Sequence, residues 1–189
     1  LMPFRNGGHV FGGHIRRGTQ TLAHRFRDLG YQTANFGKFS KHPKSRFPYE
    51  VVNEQWKMGE EQDAGLSGKV DEFLGQRETE RPLFLQINTG GVHMPWVENT
   101  EFDLASLCLP PHLVDTAEAR DALADYYTSV QVLDTTIGRM TAILDKHGYR
   151  DNTLLLYTAD HGANLPFAKW TLYDEGIRIP LIIRFPGAV

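Results

Sequence analysis

Leu83-Phe84-Leu85-Gln86-Ile87-Asn88 is a compact, mostly apolar run. A run of that length and character suits a strand buried in a parallel sheet. The flanking segments read as its companions. Leu22, Phe26 and Leu29 are spaced four and three residues apart, which places them on one face of a helix over 19–29. Thr19 or Thr21 would cap that helix and Gly30 would stop it. Tyr31 to Phe36 then reads as a strand that ends at Gly37-Lys38. Gly68 to Gln76 fits a short helix. Ala117 to His147 fits a long one, with Leu123, Tyr126, Tyr127, Val130, Leu133, Ile137, Met140, Ile143 and Leu144 recurring at helical spacing. Asn152 to Thr158 and Pro180 to Phe185 read as two further strands, whereas residues 1–18, 41–62 and 97–114 read as irregular. Alternating strands and helices predict an α/β fold with a mainly parallel sheet flanked by helices.

A length of 189 residues suffices for one domain with a sizeable core. The net charge of -3, with Lys and Arg read as scattered, gives no footprint for nucleic acid and makes any anion recognition local. No apolar run approaches the ~20 residues that span a bilayer, so no membrane insertion is expected. Cys108 is the single cysteine, which excludes an internal disulfide framework. Both termini read as cut within a longer chain, so localisation is not legible from them.

Three predicted strands end in residues that carry chemistry. Ligands of open parallel sheets sit beyond the carboxyl ends of strands. Lys38 ends the first strand, His93 follows the second, and Asp160-His161 end the third. Asp160 is a hard oxygen donor suited to Ca²⁺ or Mg²⁺. His161 could be a second ligand, a proton donor or a partner of a ligand. Such a cation takes about six ligands, so these two need others. Lys169 could neutralise a tetrahedral oxyanion, and His93 could protonate a leaving group or bind an anion. Each residue alone also has an ordinary reading as a solvated or capping side chain.

The motifs together resemble the sulfatase family in order and spacing. Thr21-Leu22-Ala23 with Leu29-Gly30-Tyr31 and Phe36-Gly37-Lys38 resembles the family segment ending in Gly-Lys. Arg81-Pro82-Leu83-Phe84-Leu85 followed by His93-Met94-Pro95 resembles the strand leading to its catalytic His. Tyr126-Tyr127 with Asp134 and Gly138-Arg139 is similar to its long helix, and Thr158-Ala159-Asp160-His161-Gly162 to its second metal motif. Thr171-Leu172-Tyr173-Asp174-Glu175-Gly176 closes the match. Leu109-Pro110-Pro111, Asp115-Thr116 and Arg120 are similar to the heparan N-sulfatase branch.

The resemblance implies an alkaline-phosphatase-like core and a metal-dependent hydrolase of sulfuric esters or sulfamates on sulfated saccharides or small sulfate esters. It implies Asp160 and His161 as ligands of one divalent cation, Ca²⁺ before Mg²⁺. Lys38, His93 and Lys169 would contact the sulfate and act in catalysis, with His42 as a further substrate-binding residue. It places the protein in the periplasm, outside the cell or in a lysosome-like compartment. It also implies that residues 1–189 are a partial catalytic domain. The N-terminal segment with paired Asp ligands and a formylglycine nucleophile, and the C-terminal subdomain, would lie outside them, leaving this piece with negligible activity on its own.

Two departures stand out. Cys108-Leu109-Pro110-Pro111-His112 imitates the nucleophile motif but has His112 where Arg belongs and follows His93, so Cys108 is read as buried or structural. Ser40 stands where family members often carry His, with His42 two positions on. The alternatives are a phosphate mono- or diester hydrolase of the same superfamily, and a non-catalytic carbohydrate-binding protein. Specificity would lie in loops 40–65 and 96–115.

Overall fold

The computed structural model describes residues 3–10, 13–40, 42–54, 60–77 and 80–187. Its elements, in chain order, are α1 (Pro3–Asn6), α2 (Leu22–Asp28), β1 (Gln32–Gly37), β2 (Val51–Asn53), α3 (Glu60–Gly75), β3 (Leu83–Asn88), α4 (Ala117–Lys146), β4 (Leu155–Thr158), α5 (Asp174–Ile177) and β5 (Leu181–Arg184). Single 3₁₀ turns lie at Lys44–Arg46 and Leu104–Ser106. The chain divides into two compact units, Leu1–Trp56 with Gln76–Thr89, and Lys57–Gly75 with Gly90–Val189.

The first unit is built on a parallel sheet in the order β2-β1-β3. Gln32 pairs with Leu83 and Gly37 with Asn88, so β1 and β3 finish together. β1 is central, and Thr33, Ala34, Asn35 and Phe36 are all buried. The buried Thr33 side chain is bonded as its burial requires: its hydroxyl donates to the Pro48 carbonyl at 2.6 Å and accepts from the Glu50 amide at 3.2 Å. α2 starts at Thr21, whose hydroxyl and amide both meet His24 Nδ1. It stops at Gly30, which adopts φ 87°, and the Tyr31 amide turns back to the Phe26 carbonyl. Phe26 stacks on Phe84 at 4.4 Å and so seats α2 on the sheet. Arg81 bonds to the Gly30 and Tyr31 carbonyls and to both Glu50 oxygens. That guanidinium holds the Glu50 carboxyl below its usual range.

β2 lies inside the segment expected to be irregular. Three residues are too few to register a period of two, so periodicity could not reveal it.

In the second unit α3 packs along α4. α3 is longer than the Gly68–Gln76 expectation, because its first turns, Glu60 to Gly65, show no apolar spacing. Leu66, Val70 and Leu74 are buried, and Leu123, Ala124, Leu133 and Met140 of α4 are buried too. Small polar residues that periodicity did not select, Thr128, Ser129 and Thr136, share that face. The hydroxyls of Thr128 and Thr136 donate to carbonyls four residues back, at 3.0 and 3.1 Å, which makes their burial tolerable. Val130, expected on the apolar face, is exposed. Asp71 of α3 meets Lys146 at 2.8 Å and His147 at 2.6 Å. Lys146 first, then His147, hold its carboxyl below the ordinary value.

β4 and β5 pair antiparallel, so the parallel pattern belongs to β1, β2 and β3. Leu156, Ile182 and Ile183 are exposed in this chain. No helix among the described residues is long and apolar enough to cross a membrane.

Two expectations are overturned. Cys108 is exposed rather than buried, because it lies in the irregular segment leading to Pro110-Pro111, with no helix or strand to cover it. Lys and Arg are also not scattered. Residues 1–48 hold nine of them against one carboxylate, Asp28, whereas residues 49–189 hold eleven against twenty-two. A chain-wide net charge of -3 hides that division.

Candidate functional site

Lys38 and His42 belong to the first unit, and His93, Asp160, His161 and Lys169 to the second. Gly37 positions Lys38. It adopts φ 82°, and a Cβ there would stand 2.0 Å from the Asn88 carbonyl oxygen. Only glycine fits both conditions without strain. The Lys38 amide donates to that same carbonyl at 3.3 Å.

Asn88, which sequence reasoning did not single out, completes the support. Its amide nitrogen donates to Asn35 Oδ1 at 3.1 Å and to the Lys38 carbonyl at 2.9 Å. Behind it, Gln86 donates to Asn88 Oδ1 at 3.0 Å, and the Tyr49 hydroxyl donates to Gln86 Oε1. Burial pushes the Tyr49 hydroxyl up to about 12, so it stays a donor at neutral pH. The signal was present in the sequence, since Gln86 and Asn88 are the polar positions of an otherwise apolar strand. Asn88→Ala is expected to cost about 1–3 kcal/mol, because it strips a donor from buried acceptors. Urea unfolding checks this as a lowered midpoint at unchanged m. An unchanged midpoint would contradict the support role.

His42 packs its ring on His14 at a centroid distance of 6.2 Å, and its carbonyl accepts from the Ile15 amide at 3.0 Å. It is held to the N-terminal loop.

In the second unit, His93 sits on the turn after Gly90, with its amide bonded to the Gly90 carbonyl at 3.0 Å. Its Nδ1 lies 2.7 Å from the Met94 carbonyl. A carbonyl only accepts, so Nδ1 carries a proton and Nε2 the lone pair of the neutral ring. The next residue, Met94, accepts through sulfur from the Asn164 amide, which ties this turn to the loop after His161.

Asp160 and His161 follow β4 directly. The Asp160 side chain is 86% exposed, and its Oδ1 lies 3.6 Å from His161 Nε2. His161 Nδ1 is 2.9 Å from the Gly162 carbonyl, so its proton is on Nδ1 and Nε2 faces the carboxylate as a donor atom. A metal-ligating His uses this arrangement, and the carboxylate beside it adds hard oxygen. The pair therefore fits two positions of a divalent-cation shell. No group of three or more candidate ligands occurs among the described residues, so this chain's pair does not complete one.

The loop from Gly162 to Gly176 is tightly fixed. The Gly162 amide donates to the Gly176 carbonyl at 3.0 Å, and a Cβ on Gly162 would fall 1.7 Å from the Glu175 carbonyl oxygen. The Lys169 amide donates to the Ala163 carbonyl at 2.9 Å. Phe167 and Trp170, on either side of Ala168-Lys169, both adopt left-handed φ, 60° and 72°. Bulky residues rarely adopt that conformation, and it is costly where it occurs. Here the Thr171 hydroxyl meets the Phe167 and Ala168 carbonyls at 2.7 and 2.8 Å and holds the turn. A shallow apolar cleft of about 340 Å³ lies alongside, lined by His112, Leu113 and Val114 and by Leu165, Pro166 and Phe167.

Residues 3–189 match the family described as Sulfatase. An endo-4-O-sulfatase of Bacteroides thetaiotaomicron is 24% identical over 175 residues, which span 82% of this chain and 34% of the relative. A structure from work on glycosaminoglycan metabolism by Bacteroides thetaiotaomicron superposes with a TM-score of 0.83 at 19% identity, over 100% of this chain and 53% of that one. The phosphonate monoester hydrolase of Agrobacterium radiobacter does so at 0.79 and 17%, over 99% and 56%. Both share the fold. The chain thus spans about a third of that curated relative and about half of the solved structures.

Proposed function

Because this chain belongs to the sulfatase family, we propose that its protein hydrolyses sulfate esters or sulfamates carried on a saccharide. Asp160 and His161 supply two ligands of a divalent cation, Ca²⁺ before Mg²⁺. Lys38, His93 and Lys169 contact the sulfate, and His42 lies on the substrate side. The carrying observation is the aim of His161 Nε2 and Asp160 Oδ1 toward one another at 3.6 Å, with the other imidazole nitrogen tied to the Gly162 carbonyl. A cation held there contributes Lewis-acid stabilisation of charge on sulfate oxygens.

This chain's own residues divide the remaining chemistry. The Lys169 ammonium neutralises charge that grows on the sulfate oxygens. His93 keeps a proton on Nδ1 through the Met94 carbonyl, so a proton taken up at Nε2 can pass to the leaving oxygen. A sugar alkoxide is a poor leaving group, and that transfer is where His93 matters. Lys38, fixed by Gly37 and Asn88, orients the attacking group. The family's formylglycine motif does not occur among these 189 residues.

The saccharide assignment draws on an N-acetylglucosamine-6-O-sulfatase of Bacteroides thetaiotaomicron, 42% identical over 71 residues, 35% of this chain and 13% of the relative. The narrower N-sulfatase branch rests on residues that hold loop 96–115 in place. Arg120 clamps Asp115 at 2.6 Å and the Leu104 carbonyl at 2.6 Å. The cleft beside Phe167 keeps that loop as a specificity region.

The fold likeness to a phosphonate monoester hydrolase keeps the phosphate alternative distinct enough to test. Matched 4-nitrophenyl sulfate and phosphate, given to the full-length protein, are expected to differ by about tenfold or more in kcat/KM in favour of sulfate. The reverse preference would overturn the reading. Saccharide binding without turnover would favour the non-catalytic alternative.

A further inference from the structure

The cleft of about 340 Å³ lies wholly within the second unit. Its lining includes Val114 from one loop, Leu165, Pro166 and Phe167 from another, and Ala119 and Ala122 of α4. Ligand pockets run from about 300 to 1,000 Å³, so this one takes a single group of a small molecule.

One of those walls is the loop that carries Lys169. The Lys169 amide donates to the Ala163 carbonyl at 2.9 Å, and the Ala168 amide to the Leu165 carbonyl at 3.2 Å, so the loop closes on itself. Asn164, just before Leu165, reaches the sulfur of Met94 and with it the turn of His93. The cleft wall is therefore continuous with the chain that joins His161 to Lys169. Within it, Phe167 stands at φ 60° with 54% of its surface exposed. That backbone is costly for a bulky residue, and a half-exposed ring returns little burial. Strain of this kind gathers where a ligand is clamped. The Tyr173 ring meets Phe167 edge-on at a centroid distance of 5.6 Å and steadies it.

Charge narrows the occupant. The Thr116 hydroxyl accepts from the Ala119 amide at 3.2 Å, so the start of α4 is already capped from within. The Glu118 amide, and then the Thr116 hydroxyl, hold the Glu118 carboxyl below its usual range, so it is negative at neutral pH. Glu118 lines the cleft, and among the described residues that line it none is Lys or Arg. An anionic group there would meet a like charge with no counter-ion. An uncharged apolar group would instead release water from apolar walls.

We infer that the cleft receives an uncharged, apolar part of the alcohol from which sulfate is cleaved, with the Phe167 ring against it. On a saccharide this is an apolar substituent or aglycone rather than a second sulfate. That the group belongs to a substrate rests on the hydrolase reading, which it deepens. The preference of the cleft rests on its lining and charge alone.

The test gives full-length wild type, Phe167→Gly and Glu118→Gln three esters: phenyl sulfate, 2-naphthyl sulfate and 6-carboxy-2-naphthyl sulfate. Glycine holds a left-handed φ without strain, so Phe167→Gly removes the ring and keeps the turn. Wild type is expected to favour 2-naphthyl over phenyl sulfate by about tenfold in kcat/KM, and over the carboxylated ester by about tenfold or more. Phe167→Gly should shrink the first ratio to within about twofold. Glu118→Gln should shrink the second about fivefold and leave the first as in wild type. A naphthyl-to-phenyl ratio equal in wild type and Phe167→Gly overturns the inference, as does a wild type that favours the carboxylated ester. An unchanged ratio with a lowered urea midpoint would show the cleft filled by another segment of the protein itself, which also overturns it. Should none of the three esters be turned over, calorimetry with 2-naphthol decides the cleft. Weaker binding by Phe167→Gly then supports it, and equal or absent binding overturns it. Failure to turn over 4-nitrophenyl sulfate as well would sink the hydrolase reading separately.

Discussion

Asp160→Ala in the full-length protein is expected to lower kcat for sulfate release by about 10³-fold or more, with little change in stability. The carboxylate is 86% exposed, and His161 Nε2 stands 3.6 Å from it, beyond hydrogen-bond range. The fold therefore loses little when it is removed. Removal would take away a hard ligand and the local negative charge that attracts a cation, and losses of this order accompany the loss of transition-state charge stabilisation. Asp160→Asn tests the same point with shape preserved, since a neutral amide is a weaker ligand. Equal kcat in wild type and both variants, with melting curves superimposed, would remove Asp160 from the site.

Gly37→Ala is expected to act through stability instead. The added Cβ meets the Asn88 carbonyl oxygen at 2.0 Å, and alanine must also hold φ 82°. Left-handed backbone costs about 1–2 kcal/mol and overpacking about 1–3 kcal/mol, so a total of about 2–5 kcal/mol is expected. Domains are stable by only about 5–15 kcal/mol, so a loss of that size is large. It also strikes the end of β1, where Lys38 is aimed. Chemical denaturation reads the effect as a lower midpoint. A variant as stable as wild type would show that the β1–β3 approach is looser than its register implies.

These cases show what was legible in the sequence. Gly37-Lys38, His93 and Asp160-His161 could be singled out because strand ends in open sheets carry ligands and because each follows an apolar run. The long helix α4 was equally plain, for thirty residues give periodicity room to register. β2 was too short to do so, and the first turns of α3 had no apolar face to count. The supporting roles of Asn88 and Gln86 depend on a register between β1 and β3 that single residues do not encode. The left-handed turns at Phe167 and Trp170 were hidden for a related reason. Neither residue type favours that conformation, and the Thr171 hydroxyl that holds the turn could be recognised only once the loop was folded. The basic character of residues 1–48 was present in the sequence all along and vanished only in the averaged net charge.

The measurement that bears most directly on the central claim is sulfate release by the full-length protein after chelation, followed by readdition of Ca²⁺. The predicted result is loss of turnover with EDTA and saturable recovery with Ca²⁺ in wild type, and no recovery in Asp160→Ala at any Ca²⁺ concentration. Turnover that survives complete chelation, or an Asp160→Ala variant that recovers along the wild-type curve, would contradict a cation site built on Asp160 and His161.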